Sequence, residues 1–360
     1  MIYRAIGLMS GSSLDGLDIV FVTFHENGGK WTYEIGPADC YPYSPEWVEK
    51  LKNAVHLPAL DYQLLHTAYG QYLGQEINRF IEAHGLQYQV AIVASHGHTT
   101  FHRPDQRMTA QLGDGAAIAA TIQLPVVSDL RAMDVANGGQ GAPIVPIGER
   151  LLLNDYQYFL NLGGIANVSV NSENYIAFDV CPANRVLNML SAERGMDYDD
   201  GGQLAASGKL SETLLAKLDA LDYYQQPFPK SLANDFGTGT VYPLVKQEGL
   251  SVEDGLRTYT VHIVNQVRNA IVAARAGAGE NGRLLVTGGG AFNDFLVSLL
   301  TEELKKENIE VVVPEANLVK YKEALIMALI GVLRWREEAN VFASVTGASR
   351  DSVGGALWLG

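Results

Sequence analysis

The stretch Ile6-Gly7-Leu8-Met9-Ser10-Gly11-Ser12-Ser13-Leu14-Asp15-Gly16-Leu17-Asp18, running on into Ile19-Val20-Phe21-Val22, constrains the chain most. Apolar residues run up to Met9 and resume at Leu17, so it reads as strand, glycine-rich turn, strand. Gly11 and Gly16 permit positive φ and a sharp turn that exposes backbone N–H groups. Ser10, Ser12 and Ser13 add donors, a concave set that suits phosphate oxygens. Asp15 has the carboxylate that Mg²⁺ prefers alongside water and phosphate. A plain hairpin with a polar tip is the competing reading of this turn alone.

A second turn at His25-Glu26-Asn27-Gly28-Gly29-Lys30 and a third strand from Trp31 complete an antiparallel meander. Ser44-Pro45-Glu46 starts a helix, and a longer one covers Asp61 to Ala83, with Leu64, Leu65, Leu73, Ile77 and Phe80 on its apolar side. Val90 to Ala94 is a buried strand that ends in Ser95-His96-Gly97-His98 and leads to His102. Strand ends are where α/β sheets place ligands, so His96 is a ligand contact or, with His98 and His102, part of a metal site. Val126 and Val127 form another strand. Arg131, Asp134 and Gln140 crowd the glycine-dense stretch Asn137–Pro143 with groups that bind.

The opening pattern then returns. Tyr158–Leu162, Gly163-Gly164 and Ile165–Val170 again read strand, glycine turn, strand, with a third strand over Tyr175–Phe178. Two halves that each start with a meander suggest an internal duplication. Asp179 ends that third strand beside a helix opening at Asn184, a position for a catalytic acid or base or for a turn-forming carboxylate. Pro227-Phe228-Pro229-Lys230-Ser231 is a stiff loop with one cation. A long helix covers Val252 to Ala276, and Arg283–Thr287 is a strand ending in Gly288-Gly289-Gly290, which lets a flat group approach the backbone. Glu323 is one of few charges on an apolar helix that reaches Trp335.

Composition narrows the function classes. The 360 residues suggest two domains, 1–127, with the last C-terminal residues as a candidate addition, and 128–360. A net charge of −14 argues against a nucleic-acid surface. Two cysteines are too few for a disulfide framework. No apolar run is long enough to span a membrane and no leader pattern opens the chain, so the cytoplasm is the expected location. GxxxxGK[ST], a strand-to-helix GxGxxG and GxSxG are all missing, so a nucleotide would use the paired hairpin turns, one from each half.

The paired turns, the glycine triplet and the strand-end acid resemble the sugar kinase, heat-shock ATPase and actin superfamily. Within it, Gly7–Gly16, Ser95-His96-Gly97, Gly138–Pro143, Asn161–Asn167, Gly288–Gly290 and Ser344–Ala348 are similar, in order, to motifs of the anhydro-N-acetylmuramic acid kinases, and cover essentially the whole chain. The resemblance implies an α/β, two-domain, actin-like sugar kinase ATPase fold, each domain a mixed sheet beginning with a β-meander and flanked by helices. ATP is then expected in the cleft between the domains.

It further implies an enzyme that opens 1,6-anhydro-N-acetylmuramic acid with water and phosphorylates O6, giving N-acetylmuramic acid 6-phosphate in cell-wall recycling. Asp179 becomes the general base. Gly11, Ser12, Ser13, Leu14, Asp15, Gly16, Asn161, Gly163, Gly164, Gly288, Gly289 and Gly290 become nucleotide contacts, with Mg²⁺ at Asp15. His96, Arg131, Asp134, Gln140 and Glu323 become sugar-side residues, and a homodimer is implied. The chain departs from the family's Asp-x-Gly-Pro-Gly-Asn at Cys181 and Ala183, and carries His98 where the family has Gln. The alternatives are a kinase of the same superfamily for another anhydrosugar or hexose, a non-catalytic nucleotide binder, and a metal-dependent hydrolase using His96, His98 and His102.

Overall fold

The computed structural model describes residues 1–11, 14–172, 175–228, 230–233, 235–275 and 282–360. Its strands begin with β1 (Ile2–Ser10), β2 (Gly16–Asn27), β3 (Lys30–Pro42), β4 (Ile92–Ser95), β5 (His98–Arg103), β6 (Met108–Leu112) and β7 (Val126–Ser128). There follow β8 (Tyr158–Leu162), β9 (Ile165–Val170), β10 (Ile176–Pro182), β11 (Gly282–Thr287), β12 (Ile309–Val312) and β13 (Ala356–Trp358). The chain divides into two compact units, Met1–Leu153 with Tyr321–Gly360, and Asn154–Lys320.

The first unit is built on a sheet of order β13-β7-β4-β1-β2-β3. Its opening meander is antiparallel, whereas β4 joins β1, and β7 joins β4, in parallel. One face of β1 and β2 presents Ile6, Leu8, Leu17 and Ile19 to Tyr69, Leu73, Ile77 and Phe80 of the helix Ala59–Ala83. Leu64, expected on that helix's apolar side, is instead exposed. The helix Ala316–Trp335, interrupted at Tyr321, packs close to the sheet: a Cβ on Gly7 would stand 1.9 Å from the Ala324 carbonyl oxygen.

The expected boundary at 127/128 falls inside β7, a strand of the first sheet. The helices Ala132–Ala136 and Pro146–Leu152 and the whole C-terminal segment from Tyr321 pack with the first unit, because β13 pairs with β7 and supplies the sheet's last strand. The hairpin β5–β6 follows His96 where the histidine spacing had suggested a metal site.

The second unit repeats the pattern with a sheet of order β10-β9-β8-β11-β12. The meander β8–β9–β10 is antiparallel, and β11 and β12 add in parallel. Leu256, Ile263, Val267 and Ile271 of the helix Val252–Ala274 share its core with Leu160, Val168 and Leu284 of the sheet. Each unit is thus a mixed sheet that begins with a β-meander and is flanked by helices, the α/β architecture the sequence implied.

Candidate functional site

In the first unit, Ser10 ends β1 and sits on a buried relay. Tyr43 OH donates to Ser10 Oγ at 2.8 Å, Tyr43 and Tyr69 hydroxyls lie 2.6 Å apart, and His98 Nδ1 lies 3.4 Å from Ser10 Oγ. Ser12 and Ser13 lie outside the described residues, and Gly11 ends the described stretch before them. The turn differs from expectation in where its special backbone lies. Leu14 takes the left-handed conformation with φ 58°, whereas Gly16 does not. Gly16 needs to be glycine for a different reason: a Cβ there would meet Cys40 Sγ at 2.7 Å and the Tyr41 carbonyl at 2.8 Å. The Gly16 N–H donates to Asp15 Oδ1 at 3.0 Å.

Asp18, which sequence reasoning passed over, stands two residues into β2. Burial first, then the charges of Asp15 and Glu323, push its carboxyl up to about 6, against a lowering contact from Cys40. A hard divalent cation near Asp15 would relieve that repulsion with oxygen donors it prefers, so the residues fit Mg²⁺. Among the described residues, no three His, Cys, Asp or Glu side chains gather closely enough to hold a metal by themselves.

His96 and Arg131 meet below the strand ends. Arg131 Nε donates to His96 Nε2 at 2.8 Å and Arg131 Nη1 donates to the Gly141 carbonyl at 2.8 Å. Since Arg131 only donates, the His96 proton sits on Nδ1, 2.8 Å from the Gly97 carbonyl. Burial, reinforced by the Arg131 charge, lowers His96 to about 3, so the ring stays neutral. Both its nitrogens are occupied. His98 turns to Ser10, and His102 Nδ1 lies 3.1 Å from Thr109 Oγ1. The three-histidine metal centre is therefore corrected: β5 carries His98 and His102 to separate partners.

Asp134 is 0% exposed. Its Oδ2 accepts from the Gly141 N–H at 2.7 Å and its Oδ1 from Thr346 Oγ1 at 2.7 Å. In this position it braces the glycine-dense loop against the C-terminal segment. Gln140 is exposed and ties the same loop by its N–H to the Thr346 carbonyl at 2.8 Å. Glu323 is half-buried, and its charge acts on both Arg131 and Asp18.

In the second unit the decisive feature is a polar row across four strands. Thr287 of β11 is in register with Asn161 of β8, Asn161 with Asn167 of β9, and Asn167 with Asp179 of β10. Paired residues face the same side of a sheet, so the row forms one polar stripe. Asn167 Nδ2 donates to Asp179 Oδ1, and the Leu232 N–H donates to Oδ2 at 2.8 Å. Burial raises the Asp179 carboxyl above the ordinary range, with the two donors opposing it. The Thr287 hydroxyl is buried and has no hydrogen-bond partner among the described residues. Asn167 and Leu232 escaped sequence reasoning, though Asn167 lies in a motif quoted for the resemblance. Leu232 acts through its backbone, which leaves no residue-type signal.

The glycine turns frame this row. The Gly163 and Gly164 carbonyls accept from Asn184 N–H (3.1 Å) and Ala183 N–H (2.8 Å), fixing the turn to the start of the helix Asn184–Ala192. Gly288 has φ 81°, and a Cβ there would stand 2.5 Å from Asn161 Oδ1. Gly289 and Gly290 line a cavity of about 440 Å³ with Asn184, Tyr198, Asp200, Phe292 and Lys320. At the two departures from the family glycines, Ala183 is fully buried immediately before the helix Asn184–Ala192, and Cys181 is fully buried, where burial pushes its thiol up.

The chain matches the anhydro-N-acetylmuramic acid kinase profile over residues 3–360. It belongs to the anhydro-N-acetylmuramic acid kinase family. The anhydro-N-acetylmuramic acid kinase of Paramagnetospirillum magneticum is 34% identical over 366 residues, 98% of each chain. That of Bacillus thuringiensis subsp. konkukian is 30% identical over 370 residues, 97% of each. Among solved structures, the activator of the 2-hydroxyisocaproyl-CoA dehydratase from Clostridium difficile with bound ADPNP gives a TM-score of 0.47 at 14% identity, covering 93% of this chain and 96% of that one. That likeness is too weak to compare residues. As a member of the family, the chain is a kinase, a phosphotransferase that uses ATP.

Proposed function

We propose that this chain opens 1,6-anhydro-N-acetylmuramic acid by attack of water at the anomeric carbon and transfers the γ-phosphate of ATP to O6. The observation that carries the chemistry is Asp179, a desolvated carboxylate with both oxygens held as acceptors. It takes a proton from water as the water oxygen bonds to the anomeric carbon. The bond from that carbon to the bridging O6 breaks, and the electron pair stays on O6. O6 bonds to the γ-phosphorus, and the β–γ bridging oxygen leaves with ADP. Asp179 then returns its proton to solvent.

The second unit supplies the nucleotide side of this reading. The turn at Gly163 and Gly164 has room for phosphate, and the cavity beside Gly288, Gly289 and Gly290 has the size and the exposed Phe292 ring to take the adenosine. In the first unit Gly11, Leu14, Asp15 and Gly16 are the candidate phosphate contacts, and Asp15 would hold Mg²⁺, whose charge would offset that of a phosphate. His96, as a neutral ring, orients Arg131, and Arg131, Gln140 and Glu323 meet the sugar. Asp134 shapes the loop that carries Gln140. A homodimer in the cytoplasm belongs to the same reading; among the described residues no helix is long and apolar enough to cross a membrane.

The test is ADP release from Mg-ATP with and without 1,6-anhydro-N-acetylmuramic acid, for the intact protein and for Asp179→Asn. Release that needs the sugar and collapses in the variant supports the proposal. Equal release with another anhydrosugar or with a hexose would favour the sister-kinase reading instead.

A further inference from the structure

β10 is the outer strand of its sheet, and its pairing with β9 slips between Asp179 and Cys181. Such a bulge re-aims the side chain beside it but leaves the ladder unable to hold it. The structure supplies another holder. The Asp179 N–H donates to the Lys230 carbonyl at 3.0 Å. Tyr223 OH donates to the Asp179 carbonyl at 2.7 Å. Lys230 Nζ donates to the Tyr223 carbonyl at 2.9 Å and stands 4.5 Å from the centre of the Tyr223 ring. The contacts form a closed ring in which Tyr223 and Lys230 grip each other and both grip the backbone of Asp179.

We infer that Tyr223 and Lys230 are positioning residues that aim the Asp179 carboxylate at its water. The inference rests on Asp179 as the general base. Neither residue touches that carboxylate; they fix the peptide units on both sides of it, while Leu232, two residues beyond Lys230, brings its N–H to Oδ2. Loosening the ring therefore displaces the carboxylate and one of its donors together. The single cation of the stiff loop thus gains a role that its sequence position did not disclose. Burial also raises Tyr223, which keeps its hydroxyl a donor.

The experiment compares Tyr223→Phe, Lys230→Met and Lys230→Arg with the intact enzyme, measuring kcat, KM for ATP and for the anhydrosugar, and the pH profile of kcat. Tyr223→Phe and Lys230→Met are expected to lower kcat by about 10- to 100-fold with KM for ATP within about twofold, as a misplaced base does. The acid limb of kcat shifts in both, and Lys230→Arg, which keeps a cation over the ring, restores most of the rate. A purely structural role predicts lower melting temperatures with unchanged kcat and acid limb, and that result overturns the inference. If Tyr223→Phe does not fold, Lys230→Met against Lys230→Arg makes the same comparison. Full turnover by Asp179→Asn would overturn the base itself, and the clamp with it. Collapse there with no change in the clamp variants would overturn the clamp alone.

Discussion

Arg131 donates through Nε to Nε2 of His96, 2.8 Å away, and so determines that the buried imidazole is neutral with its proton on Nδ1. Lysine cannot reproduce a donor at that position while also reaching the Gly141 carbonyl. Arg131→Lys is expected to lower kcat/KM for the sugar by on the order of 10²-fold while KM for ATP stays nearly constant. Steady-state kinetics with each substrate varied in turn checks the split.

Neutral burial also gives His96 a sign in the pH dependence of stability. Its folded value is about 3 against an ordinary 6.5, so below pH 6.5 the unfolded chain binds the proton and the folded one does not. Its contribution is full above pH 6.5 and declines as pH falls towards 3. Urea midpoints across that range should fall with acid, and less so in His96→Gln.

Asp18 acts with the opposite sign. Its carboxyl lies near 6 in the folded state against 3.8 ordinarily, so the folded state binds the extra proton and stability falls as pH rises from about 4 through 6. Asp18→Asn should stabilise the protein by on the order of 1 kcal/mol at pH 8 and by little at pH 4. Denaturation at the two pH values decides it; equal effects at both would contradict the assignment.

Asp179→Asn should reduce kcat by about 10³-fold, in the range that general-base catalysis supplies, with nucleotide affinity retained. In the intact enzyme the acid limb of kcat should lie above the ordinary carboxylate range, because burial raises Asp179. Nucleotide titration by calorimetry beside the kinetics separates binding from chemistry.

Two changes test the first unit's packing. Gly7→Ala forces a methyl to within 1.9 Å of the Ala324 carbonyl and should cost roughly 3 kcal/mol. Lys322 Nζ and Glu149 Oε1 form a buried pair at 2.9 Å, 5% and 2% exposed as residues. Lys322→Met breaks this buried pair and should cost about 3–5 kcal/mol in urea unfolding.

The sequence by itself determined most of the elements and named the candidate groups of the site. Glycine turns between apolar runs located both meanders, since only backbone without a side chain, or a left-handed residue, turns so sharply there. Ser44 before Pro45 announced a helix start, because capping is local chemistry: its side chain accepts from the Trp47 N–H. Asp179 was legible as a candidate acid, although it stands in the middle of β10, Ile176–Pro182, and not at a strand end as its sequence position suggested. What remained hidden depends on contacts between residues distant in the chain. The unit boundary followed from β13 returning to β7, a pairing that local pattern does not encode. Asp134 became a brace only when Thr346 met it, and the three histidines parted only when β5 paired with β6. The polar row Thr287, Asn161, Asn167 and Asp179 exists because strand register aligns four separate segments. Register is a property of the assembled sheet, and so is the burial that raises Asp179, since both come from neighbours that the linear chain does not name.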